Sequence, residues 1–104
     1  MWGLARPGGA YVYILQCRDD TLYVGSTRKE TVDERVAEHQ LSTYSGYTST
    51  RRPVRLIWAE HFASITDAIA FERQLKRWSR AKKLALARGD WERVRELARR
   101  RSGR

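Results

Sequence analysis

Tyr11-Val12-Tyr13 and Tyr23-Val24-Gly25 constrain the fold of this chain more than any other feature. The first triplet opens residues 11–17, a β-branched and aromatic run that favours a strand. Arg18-Asp19-Asp20-Thr21 is a polar turn, and Leu22 to Ser26 reads as the return strand. The two make a β-hairpin with a phenol on each arm. Tyr13 and Tyr23 share a sheet face if the turn has an odd number of residues, and oppose one another if it has two or four. The sequence leaves both registers open. Gly25 closes the second strand, where a side chain would block a close backbone approach.

Thr31-Val32-Asp33-Glu34 matches a capping box and starts a helix that runs to about Leu41. Residues 42–53 are a polar loop. Val54 to Phe62 alternates imperfectly and reads as a third strand. Ser64 or Thr66 caps a long helix ending near Ser79. A short helix spans about Arg80 to Ala87, with Gly89 as its C′ residue. Asp90 caps a last helix from Trp91 to about Arg99. The order predicts an α+β fold, a small three-stranded antiparallel sheet flanked by helices. At 104 residues the chain is one domain, spanning residues 10–98, with a flexible N-terminus (1–9) and a basic tail (99–104).

The net charge is +9, and its placement matters more than its size. Residues 1–50 carry a net −1 and residues 51–104 a net +10. That asymmetry favours a polyanionic partner, either nucleic acid or an anionic membrane surface, over a merely solvated face. The single cysteine excludes an internal disulfide, which suits a cytoplasmic protein. No apolar run approaches the roughly 20 residues of a membrane span, and none resembles a signal peptide.

Helix faces place the polar groups. In the first helix Val32 and Val36 mark the inward stripe; His39 lies about 20° from Val32 and Arg35 about 60° from it. Glu34 and Glu38 fall on the far side. In the long helix Ala68, Phe71, Leu75 and Trp78 form the buried stripe, and Glu72 borders it. A buried Arg35–Glu72 salt bridge would satisfy both charges structurally. Alternatively Glu72 is a metal ligand, because Mg²⁺ needs only one or two carboxylates when water and phosphate oxygens complete its shell. Each tyrosine alone is most simply a packing residue. Arg73, Lys76, Arg77, Arg80, Lys82, Lys83 and Arg88 follow Glu72 with no acid before Asp90. With Trp78 among them they suit phosphate contacts and an aromatic platform, although the stripe position of Trp78 favours core packing.

Tyr13, Tyr23 with Gly25, Arg35, His39 and Glu72, in that order, resemble the GIY-YIG nuclease family, in particular its small stand-alone bacterial members. Tyr47, Thr48, Arg52, Pro53 and Val54, and the run from Glu72 through Lys83, look like the same branch. Tyr11 and Val12 depart from the Gly and Ile of the first triplet, and Val24 from the Ile of the second. The resemblance implies catalysis by Tyr13, Tyr23, Arg35, His39 and Glu72, with one Mg²⁺ or Mn²⁺ on Glu72. Arg35 would stabilise the charge of the transition state, a tyrosine would orient or deprotonate water, and His39 would accept or orient the tyrosine's proton. Arg73, Lys76, Arg77, Arg80, Lys82 and Lys83 would grip the nucleic acid. No zinc finger or helix-turn-helix follows, which implies little sequence specificity. The expected activity is endonucleolytic, on single-stranded or distorted DNA, because a small domain has little surface to grip a duplex. Repair, recombination and uptake of foreign DNA are all compatible with that chemistry. A non-catalytic nucleic-acid-binding module of the same fold, or a nuclease subunit that a protein partner targets, are the alternatives.

Overall fold

The computed structural model describes residues 9–28, 32–40 and 51–102. The expected N-terminal segment before Gly9, the Thr31 cap, loop residues 42–50 with Tyr47 and Thr48, and the end of the tail lie outside the described residues. The elements are β1 (Ala10–Gln16), β2 (Leu22–Thr27), α1 (Val32–Gln40), β3 (Arg55–Phe62), α2 (Ile65–Lys76), α3 (Arg80–Ala87) and α4 (Trp91–Ser102). The fold is α+β: one antiparallel sheet of order β2-β1-β3, with helices on both faces.

β1 is the central strand, and its apolar run is buried from both sides, as a strand covered on two faces requires. Val12 and Ile14 point into a core shared with Ala68 and Leu75 of α2, Ala85 and Leu86 of α3 and Val94 of α4. Tyr11, Tyr13 and Leu15 point the other way, with Ala59, Cys17 and Val54, and Val36 of α1 packs there. Each fully buried aliphatic side chain contributes about 1.5–3 kcal/mol. A bulge in β3 opposite Ile14 and Leu15 turns both Ile57 and Trp58 toward the α2 side.

The hairpin connection is Cys17–Thr21, five residues, because Gln16 pairs with Leu22. It is closed by Cys17 N–H to the Thr21 carbonyl (2.9 Å) and Asp20 N–H to the Cys17 carbonyl (2.9 Å). The Asp19 carboxylate accepts from the Thr21 hydroxyl (2.6 Å) and amide (3.2 Å). Those bonds hold its pKa below the ordinary carboxylate value.

Ser64, rather than Thr66, caps α2, accepting from Asp67 N–H at 3.3 Å. α2 stops at Lys76, short of the expected Ser79, because Ser79 is the N-cap of α3 and accepts from Lys82 N–H at 3.2 Å. Gly89, at φ +73°, ends α3 in a Schellman turn: Asp90 N–H reaches the Ala85 carbonyl (2.9 Å) and Gly89 N–H that of Leu86 (3.0 Å). Asp90 then caps α4, accepting from Arg93 N–H at 3.1 Å. α4 continues to Ser102, beyond the expected end near Arg99.

Candidate active site

Tyr13 on β1 stands directly opposite Gly25 on β2, and Tyr23 opposite Leu15. The odd connection therefore sets both phenols on one face, with ring centroids 6.4 Å apart. A Cβ on Gly25 would lie 2.6 Å from the Tyr13 hydroxyl and 2.8 Å from Cζ. The phenol occupies the space that a side chain would need, so this glycine serves a close approach.

α1 brings His39 beneath the same face, fully buried. Its ring lies 5.3 Å from that of Tyr23, and its Nε2 is 3.3 Å from the Tyr13 hydroxyl. Burial first, and the Arg35 charge second, press the His39 pKa below 6.5, while Glu38 opposes them. His39 is therefore neutral near pH 7, and a neutral imidazole can accept the Tyr13 proton at Nε2.

Arg35 and Glu72 reach β2 from opposite faces. Ser26 and Thr27 are adjacent, so their side chains alternate across the sheet. On the α1 side Arg35 Nη2 donates to the Thr27 hydroxyl at 3.4 Å. On the α2 side the Ser26 hydroxyl donates to Glu72 Oε1 at 2.8 Å. β2 is an edge strand, so both side chains lie near its open margin. A cleft of about 270 Å³ opens there, lined by Ser26, Thr27, Arg28 and Arg35 on one side and Ile65, Ala68 and Ile69 on the other.

The structural salt bridge conceivable from the sequence does not form. Arg35 Nε lies 3.4 Å from Glu38, and Glu72 Oε2 lies 3.1 Å from Lys76 Nζ. Each charge is balanced on its own helix, so the two are not spent on one another. Glu38 therefore turns toward Arg35 rather than standing on the far side. Among the described residues no cluster of three or more His, Cys, Asp and Glu could cage a metal. A single half-buried carboxylate beside the Ser26 hydroxyl suits a hard ion that keeps most of its shell in water and phosphate oxygen.

A family model described as the GIY-YIG catalytic domain matches residues 9–85. The chain belongs to the GIY-YIG family. A UPF0213 protein of Syntrophus aciditrophicus is 42% identical over 85 residues, covering 81% of this chain and 95% of the relative. A UPF0213 protein of Natronomonas pharaonis is 47% identical over 73 residues, covering 70% and 84%. The solution NMR structure of a protein from E. faecalis superposes with a TM-score of 0.55 at 27% identity, covering 85% of this chain and 92% of that one. The GIY-YIG chain is thus a small member that matches its relatives over most of their length.

The basic residues of this GIY-YIG chain do not share one surface. Lys76 accompanies Glu72. Arg80 donates to the Asp20 carbonyl and ties α3 to the hairpin turn. Lys83 is partly buried, which lowers its pKa. Lys82 covers the ring of Trp78, with Nζ 4.0 Å from the centroid. Trp78 also packs on Phe71 at the core margin, so it is a core residue with one face outward. Arg73 on α2 and Arg77 at its C-cap stand exposed. Ser26 and Thr27 carry no motif of their own; their signal is their position directly after Gly25, where alternation sends them to opposite faces.

Proposed function

We propose that this chain is a divalent-metal-dependent endonuclease that hydrolyses DNA phosphodiesters, preferring single-stranded or distorted strands with little sequence specificity. What carries this reading is that Arg35 and Glu72, from opposite faces of the sheet, bond to the adjacent β2 residues Thr27 and Ser26, with Arg35 on the face that carries Tyr13, Tyr23 and His39. Family membership supports the reaction class.

Glu72 is the residue to hold the ion, with Ser26 fixing its carboxylate. A divalent ion such as Mg²⁺ or Mn²⁺ held there would supply positive charge to the phosphoryl group as negative charge develops on it. Arg35 offers its planar guanidinium to the phosphoryl oxygens as charge develops on them. The Tyr13 hydroxyl can give its proton to neutral His39 at Nε2, and its oxygen, with that of Tyr23, then orients or deprotonates the attacking water. Lys76, Arg73 and Arg77 are the nearest cations on α2 for flanking phosphates, with Arg80, Lys82 and Lys83 farther along.

The test is cleavage of an end-labelled single strand by wild type and Glu72→Ala. Glu72→Ala loses metal-dependent cleavage yet keeps the wild-type melting midpoint within a few degrees, since it removes only a surface-type ion pair and one hydrogen bond. Undiminished turnover in that variant contradicts the assignment.

A further inference from the structure

On the other flank of α2, between its end and α3 and α4, a second cleft of about 290 Å³ is lined by Gln74, Arg77, Trp78, Lys82 and Ala98. Gln74 stands about 160° around α2 from Glu72, and the cleft shares no lining residue with the one at the β2 margin, so it is not part of the candidate active site. We propose that it is a nucleobase slot that anchors single-stranded nucleic acid away from the point of cleavage. The ligand class rests on the nuclease reading above; the slot itself rests on its own geometry.

Three observations carry it. One edge of Trp78 is fixed by packing on Phe71, with centroids 6.2 Å apart at 74°, so the ring is held rigid. One face is covered by the Lys82 ammonium, 4.0 Å from the ring centroid, which marks the surface a base would stack on. A cation on an exposed ring is a weaker contact than a stacked base, so the base can displace it while the ammonium moves to the adjoining phosphate. Among the described residues the lining then holds two cations and no carboxylate, a side-chain amide that can meet a base edge, and the small Ala98. A strand leaving the slot crosses the exposed crest with Arg73 and Arg77 before reaching Glu72.

The experiment is an anisotropy titration in EDTA, where cleavage does not intervene, using fluorescein-labelled oligo-dT and an abasic strand of equal length and charge. Wild type binds oligo-dT about tenfold more tightly than the abasic strand. Trp78→Leu, which keeps an apolar contact for Phe71, and Ala98→Phe, which fills the cleft without removing a cation, both lose that preference while still binding the abasic strand. Equal affinity of wild type for the two strands overturns the proposal. So does a tenfold preference surviving in either variant. Cleavage in Mg²⁺ is scored separately: base preference without cleavage leaves the slot and rejects the nuclease, whereas cleavage without base preference rejects the slot alone.

Discussion

Tyr13 folds its phenol over Gly25, and that pair sets the geometry of the whole cluster. Gly25→Ala forces the ring or the strand to move, and overpacking of this kind costs about 1–3 kcal/mol. Urea denaturation should show that loss; an unchanged midpoint would mean the phenol yields without cost. His39 supplies a pH signature. Its folded pKa lies below the 6.5 at which it protonates in the unfolded chain. Between those two values the unfolded chain binds more protons, so stability present above about pH 6.5 declines as pH falls and levels off below the folded pKa. Between pH 7.5 and 5, His39→Gln should lose less stability than wild type; parallel curves would contradict the buried neutral imidazole. The inward placement of Arg35 and His39 was legible from helical periodicity alone. The shared face of Tyr13 and Tyr23 was not, because it depends on whether the connection holds four residues or five.

At the level of elements, the α3–α4 corner was readable because its signals are local. Gly89 supplies the positive φ and Asp90 the cap, each through contacts within a few residues. Gly89→Ala places a Cβ at φ +73° and should cost about 1 kcal/mol. Asp90→Ala should cost about 1 kcal/mol by orphaning the first turn of α4. Thermal melting checks both, and a neutral result at either position would contradict the corner as described. The end of α2 was harder to place. The apolar stripe continues through Trp78, but Ser79 must leave the helix to cap the next one, so competition between two elements decided the boundary. The bulge in β3 has no residue signature at Ile57; it shows only in the pairing of β3 with β1.

Across the whole molecule, topology achieves what periodicity cannot. Placing β2 at the sheet edge lets a helix from each face reach adjacent residues, Arg35 at Thr27 and Glu72 at Ser26. The order of these residues pointed to the chemistry, but strand order decides whether they meet, and the sequence does not display it. Charge behaves the same way: the net +10 of the second half was plain, whereas its dispersal over the hairpin turn, the Trp78 cleft and the Glu72 margin required the fold. If those cations hold phosphates, log affinity for single-stranded DNA should fall steeply and linearly with log salt, and a flat response would remove nucleic acid as the ligand. The central claim is the endonuclease at the β2 margin. Its most direct test is to incubate circular single-stranded DNA with wild type and Glu72→Ala in Mg²⁺, Mn²⁺ or EDTA. Conversion of circles to linear fragments by wild type alone, and only with metal, is the predicted result, since a circle has no end for an exonuclease to enter. Intact circles under every condition, or equal cleavage by Glu72→Ala, would contradict it.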